Sequence, residues 1–302
     1  MSEAGAATTA VEIPAPPRRH RPWLGLVRGA WRQTRTKVGL ALVALLVGIA
    51  LVGPLFAPYS PTEFVAAPFS GPSEEARFGA DNLGRDVLSR FLWGGRSVLA
   101  LATLATLIGL VFGIVFGLLA AYSRGVLDDV LMRSMDVILS FPQIVFALVL
   151  AATVGPSPWL LVLAVGITTT PRVARITRGA AVEVVERDFI RAAEAIGESR
   201  LRILFGEVLP NITAPLVVEA SLRLSFNIAV VAGLSFLGFG IQPPNADWGL
   251  MINENRNGLT IQPWPVVLPV IAIGLLTIGT SLVGDGLARA TAGIQGGGRG
   301  RE

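Results

Sequence analysis

Cysteine is absent from the 302 residues, and histidine occurs once, at His20. Disulfide frameworks, Cys/His metal sites and Ser-His or Cys-His catalytic pairs therefore have no residues to be built from. Charge is scarce as well: 15% of the residues are Asp, Glu, Lys or Arg, against 52% hydrophobic. That balance lies outside the range of a water-soluble domain and indicates an integral membrane protein. Lys37 is the sole lysine, and it stands between Thr36 and Val38, so no G-K-[ST] phosphate loop exists in the chain. ATP hydrolysis by this chain is excluded on that ground. The net charge of +4 is small and the arginines flank apolar runs, which fits membrane orientation rather than nucleic-acid binding.

What is present in quantity is apolar sequence in segments long enough to cross a bilayer. Residues 1–30 carry no hydrophobic period and read as a disordered tail. Val38 to Phe56 is an uncharged run preceded by Arg28, Arg32, Arg35 and Lys37, so the first span starts inside. A polar outer segment reaches Arg96, closing an N-terminal region of residues 31–96. Ser97 to Tyr122 forms span two, with Ala105, Gly109, Gly113, Gly117 and Ala121 recurring every fourth residue. This small-residue face lets another helix backbone come close. Ser123 to Asp136 reads as a charged loop, Val137 to Val154 as span three, and Trp159 to Pro171 as a short span four, unless the helix continues to Ala174 or beyond. Pro215 to Ile241 and Val266 to Val283 supply spans five and six, ending a core of residues 97–292 before a flexible tail at 293–302. Six crossings put both termini on the cytoplasmic side, with 19 arginines and lysines inside and 5 outside.

The inner loop expected over residues 172–214 is nearly charge-balanced and looks folded. Phe189, Ala193 and Ile196 fall at i, i+4 and i+7 with Ile190 alongside, while Asp188, Arg191, Glu194 and Glu198 take the other side. The pattern predicts a short amphipathic helix ended by Gly197, and a second helical stretch from Ser199 that stops at Pro210. Such a helix either lies in the membrane interface or inserts its apolar side into a groove on a soluble partner. Within span five, Glu219 and Arg223 stand at i, i+4, as a structural pair or as part of a substrate path. Gly84, Arg85 and Asp86 in the outer segment either begin an interfacial helix facing a partner or the pore mouth, or cap spans one and two.

At Arg191-Ala192-Ala193, Gly197 and Leu209-Pro210 the loop resembles the E-A-A, three residues, G, then L-P signature of bacterial ABC importer permeases, with Arg191 in place of the first Glu. Gly79 to Arg90 and Leu234 to Pro244 are similar to stretches of the C-type permeases of dipeptide, oligopeptide and nickel importers, as is Gly284-Asp285-Gly286-Leu287 with Arg289. The resemblance implies an all-α, six-span type I importer permease fold in the bacterial cytoplasmic membrane. It also implies a homologous B-type permease beside this chain, one or two ATPase subunits carrying ATP and Mg beneath, and an extracytoplasmic solute-binding protein. Asp188, Phe189, Arg191, Ala192, Ala193, Ile196, Gly197, Leu209 and Pro210 would couple the chain to the ATPase. No cofactor or metal and no nucleic acid is expected on this chain, only membrane lipid and protein partners. The expected cargo is a peptide; a nickel or other small-solute permease of the same family remains the alternative, and an ion-gradient-driven secondary transporter or a membrane scaffold competes from outside it. Spans two, three and six lack the central ionisable groups that ion coupling needs.

Overall fold

Long apolar helices dominate the computed structural model, which describes residues 29–31, 33–123 and 125–298, with side chains as far as Thr291. Most of the expected N-terminal tail lies outside the described residues, as do residues 299–302. Helix α1, Thr34–Val52, is about 28 Å long. It gives way at Gly53-Pro54 to a single 3₁₀ turn, in which Pro54 stands in the first turn where its missing N–H leaves no bond unmade. The outer segment after it forms no extended strand and closes on itself through two isolated bridges, Phe64 with Arg85 and Ala80 with Asp86.

Helix α2, Val87–Ser123, starts within that outer segment and runs about 55 Å, longer than the hydrocarbon thickness. The expected charged loop after it is instead helix α3, Val126–Leu139, and the expected third span contributes helix α4, Gln143–Val154. The two meet at a bend of 78°. Pro142 causes the break: it has no N–H to donate, and it pushes Phe141 away from helical dihedrals. Alone, α4 reaches about 18 Å, too short for a bilayer; with α3 it makes a bent pair, a broken span or a re-entrant loop, beside five helices long and apolar enough to cross.

Helix α5, Pro158–Val185, corrects the sequence reading more deeply. It runs through Pro171 without stopping, so the inner loop begins at Glu186 rather than Arg172. Thr168, Thr169 and Thr170 donate their hydroxyls to the carbonyls of Ala164, Val165 and Gly166 one turn back. The carbonyl that Pro171 leaves without a donor is that of Ile167, one residue beyond these bonds. What covers this turn is the close packing of α2, whose Gly113 faces Thr170 and Val173, and membrane helices accept an internal proline where neighbouring helices enclose it. Arg172, Arg175 and Arg178, expected in a cytosolic loop, therefore lie on a spanning helix.

The short helix α6, Asp188–Ala195, follows. A helical run from Arg200 to Asn211 comes next, π-helical over Ile203–Val208, and it passes through Pro210 instead of ending there. Helix α7 is Thr213–Phe236, α8 is the short outer helix Trp248–Asn255, and α9, Trp264–Gly298, carries helical structure into the segment expected as a tail.

Glycines set the helix spacing. A Cβ added to Gly109, Gly113 or Gly117 would meet the Cβ of Thr169, Val173 or Thr177 of α5 at 2.7, 2.5 and 2.5 Å. The small-residue face of span two thus packs inside this chain, against α5. Gly39 of α1 similarly meets the Gly279 carbonyl of α9, where a Cβ would lie 2.6 Å away. The outer end of the core is closed by Trp248, fully buried, stacked on Phe91 at 5.6 Å and donating its indole N–H to the Phe91 carbonyl at 2.9 Å.

Candidate functional site

Helix α6 ends as its sequence requires. Gly197 sits at φ +81°, its N–H donates to the Glu194 carbonyl at 3.0 Å, and the Glu198 N–H donates to the Ala193 carbonyl at 3.1 Å. This pair of reversed bonds is the Schellman closure, in which glycine takes the left-handed position without strain. The apolar face divides in a way that the periodicity does not reveal. Ile190 is buried in a cluster with Leu118 and Ala121 of α2, Val184 and Val185 of α5, and Ile203, Leu204 and Leu216 beyond, and Ala193 packs partly against the same cluster. Phe189 and Ile196 point away, 39% and 78% exposed. Tyr122 at the end of α2 donates its hydroxyl to Glu194 Oε1 at 2.7 Å, and the Arg200 guanidinium lies 6.0 Å from its ring. The helix is thus fixed from behind to the inner ends of two spans and presents two bare hydrophobes forward. Asp188, Arg191 and Ala192 are exposed around them. Leu209 and Pro210 border an open apolar groove of about 480 Å³ between α2 and α7.

Midway along their length the long helices carry polar groups of two kinds. Asn227 of α7, fully buried, donates to Thr106 Oγ1 of α2 at 3.0 Å and accepts from Thr169 Oγ1 of α5 at 3.2 Å. This three-helix clasp supplies interhelical hydrogen bonds where lipid offers none. On the neighbouring face of α7, Arg223 Nε lies 2.8 Å from Glu219 Oε1, with Glu219 4% exposed. Phe226 lies between two guanidinium groups, 6.0 Å from that of Arg223 and 5.7 Å from that of Arg172 on α5. On α5, Arg175 pairs with Asp136 and Arg178 with Asp128, both on α3. The acids that read as a cytosolic loop are the counter-charges of these arginines. An arginine at the centre of a lipid-facing helix costs about 2.5–3.5 kcal/mol on insertion scales, so this charged face belongs against water or protein.

The outer segment holds a buried ionic network. Arg85 and Arg90 both bind Asp81 Oδ2, at 2.7 and 3.0 Å, and both bind Glu254 Oε2 of α8, at 3.0 and 2.7 Å. Asp86 caps the start of α2, accepting from the Ser89 N–H and hydroxyl at 2.8 and 2.6 Å. The expectation of an interfacial helix with Arg85 and Asp86 facing a partner or the pore mouth is therefore corrected. Both are 2% exposed, and α2 begins only at Val87, because the carboxylates of Asp81 and Glu254 draw Arg85 inward. Gly84, at φ +85°, turns the chain so that its carbonyl accepts from Val65 and Ala66. Nearby Asp247 is fully buried; its Oδ1 accepts from the Leu250 N–H at 3.0 Å and its Oδ2 from the Ser97 hydroxyl at 2.5 Å. Burial pushes the Asp247 carboxyl above the usual carboxylate range, with these hydrogen bonds pulling the other way. Burial likewise raises Glu254, against the opposing pull of Arg85.

This arrangement has known counterparts. Residues 113–292 match the family model described as the binding-protein-dependent transport system inner membrane component. The chain belongs to that family. It is a multi-pass inner-membrane permease of an ABC importer, a transport component. The permease is 39% identical to the di/tripeptide transport system permease protein DppC of Pseudomonas aeruginosa, over 83% of this chain and 86% of the relative. It is 34% identical to the dipeptide transport system permease protein DppC of Alkalihalophilus pseudofirmus, over 89% of each chain. It is 36% identical to the glutathione transport system permease protein GsiD of Pectobacterium atrosepticum, over 89% of this chain and 90% of that one. The fold resembles an inward-facing structure of the MetNI methionine ABC transporter, with a TM-score of 0.50 at 19% identity, covering 66% of the permease and 96% of that chain.

The sequence reading missed Arg172, Phe226, Asn227, Asp247 and Glu254. A signal did exist for the first: counting the helix onward through Pro171 places Arg172 on a spanning turn. No periodicity brings Asn227 to Thr106 or Glu254 to Arg90, because those meetings join distant helices.

Proposed function

We propose that the permease takes up short peptides, forming the translocation path with a homologous B-type permease. An extracytoplasmic solute-binding protein delivers the cargo, and ATPase subunits that bind ATP and Mg drive the cycle from the inner side. The observation carrying the peptide assignment is that relatives aligned over more than four-fifths of the chain are named for dipeptide, di/tripeptide or glutathione transport. No G-K-[ST] motif exists in the chain, so the energy enters through a partner.

Helix α6 is the point of entry in this reading. Phe189 and Ile196 enter a groove on the ATPase, and Ile190 transmits the displacement to the inner ends of α2 and α5 as a rigid body. Asp188, Arg191 and Ala192 border the contact, Ala193 supports the helix from behind, and Gly197 turns the chain. Leu209 and Pro210 set the entry into α7. With α5 reaching Val185, the coupling segment is residues 186–212.

The test is uptake by the complete complex in proteoliposomes. Labelled dipeptide accumulation that requires ATP and the binding protein supports the assignment; accumulation of a nickel chelate without peptide uptake overturns it. Gly197→Val, which forces a β-branched residue to φ +81°, should leave ATP hydrolysis running while uptake falls at least about tenfold. Full uptake by an assembled Gly197→Val complex would remove α6 from the coupling role.

A further inference from the structure

Arg172 lies about 21 Å from the outer end of α5 at Pro158 and about 20 Å from its inner end at Val185, so it stands at mid-helix. Arg223 and Phe226 occupy the same level of α7, about 15 and 20 Å from its inner end at Thr213. The charges at this level do not cancel. Arg175 and Arg178 are paired with Asp136 and Asp128, and Arg223 is paired with Glu219. Among the described residues, Arg172 has the Phe226 ring at 5.7 Å and no carboxylate in ion-pair contact. It is also exposed, as is Phe226 at 44%. The patch therefore carries one uncompensated positive charge, on a side chain too costly to place in lipid.

We propose that Arg172, Phe226 and Arg223 form a mid-membrane station for the carboxylate end of a translocating peptide. Arg172 makes the ionic contact, and Phe226 supplies an apolar surface for the adjoining side chain. The proposal rests on the peptide reading above and adds which end of the cargo is handled, and where. The guanidinium fork matches a carboxylate in two parallel hydrogen bonds. Arg223, already neutralised by Glu219, adds no second full charge, so the station holds an anion without trapping it. A path must release what it binds, and one open arginine beside one aromatic ring meets that requirement better than an enclosed cage. The remaining way to compensate Arg172 is a carboxylate of the second permease, which would seal this face.

The absence of cysteine makes the site accessible to thiol chemistry. Ala229, exposed one turn outward of Phe226 on α7, becomes the only thiol of the chain in Ala229→Cys. In the assembled complex in nanodiscs, its modification by a sulfonate-bearing and a trimethylammonium-bearing methanethiosulfonate is followed by the mass of this subunit, with and without ATP. Rates are referred to those of free cysteine. The anionic reagent should react about tenfold faster in at least one nucleotide state, as expected for one unpaired charge within several ångströms. Arg172→Gln should abolish the preference and Arg172→Lys should restore it. A free-carboxylate dipeptide in excess should slow the reaction several-fold, and the same dipeptide amidated at its C-terminus should not.

Absence of reaction with either reagent in both states would mean a sealed or lipid-facing surface and would overturn the proposal. So would equal rates for the two reagents, or equal protection by the amidated peptide. Should an Arg172 variant fail to assemble, the peptide protection measured in Ala229→Cys alone decides. A complex that takes up dipeptide without protecting the thiol sinks the station and leaves the peptide assignment standing. A complex that keeps the anion preference but transports no peptide overturns the peptide assignment and, with it, the station's cargo, leaving only an anion-attracting patch.

Discussion

Replacing Gly113 with alanine tests whether close helix approach holds this protein together. The new Cβ would lie 2.5 Å from Val173 Cβ, 2.7 Å from Val173 Cγ1 and 2.9 Å from the Thr170 carbonyl oxygen. Carbon atoms rest at about 3.5–4.0 Å, so α2 and α5 must part by about 1 Å at that level. Overpacking of this kind costs about 1–3 kcal/mol, offset by up to about 1 kcal/mol from alanine's better helix propensity. Gly274→Ala in α9 is the matched control, because a Cβ there meets nothing within 4 Å and only the propensity gain remains. The two substitutions should differ by about 2 kcal/mol in reversible unfolding in mixed detergent micelles, read through the fluorescence of the six tryptophans. Gly109→Ala and Gly117→Ala should behave like Gly113→Ala, and the triple variant should cost less than the sum, since one separation of the helices relieves all three clashes. If Gly113→Ala and Gly274→Ala agree within about 0.5 kcal/mol, the glycine face does not set the helix spacing and the packing argument fails.

Three other perturbations probe the outer network and the membrane interior. Asp81→Asn leaves Arg85 and Arg90 sharing one carboxylate, and loss of a buried partner should cost about 3–5 kcal/mol; unchanged protease resistance of residues 57–86 would refute the network's role. Asn227→Leu removes both bonds of the three-helix clasp and should cost about 1 kcal/mol in the same unfolding assay, with no loss counting against it. Because burial raises the Asp247 carboxyl, the folded state holds that proton more tightly than the unfolded state. Stability from this group therefore rises as pH falls through the raised value towards the ordinary carboxylate range, and that gain is lost on returning to neutral pH. Asp247→Asn, which can keep the cap on the Leu250 N–H, should flatten the change in thermal midpoint between about pH 7 and pH 5; an unaltered slope would assign it to other groups such as Glu254.

The hydrophobic runs were legible because a bilayer acts on composition along the chain: about twenty apolar residues suffice, whatever they touch. The closure of α6 at Gly197 was legible for a similar reason, since capping is settled within a few neighbouring residues. Span four was cut short at Pro171 because proline alone reads as a helix end, whereas packing against α2 keeps that helix whole. The acids of α3 read as a loop because their partners are on another helix, about forty to fifty residues away.

Composition and local pattern by themselves determined a membrane-embedded chain with several apolar spans and a capped inner helix. Only the tertiary structure decided which hydrophobes of that helix stay bare, which carboxylate neutralises which arginine, and that Arg172 has none among the described residues. Hydropathy and capping are properties of a single segment. Pairing of charge is a property of distance in space, and segments far apart in sequence acquire that distance only when the helices pack.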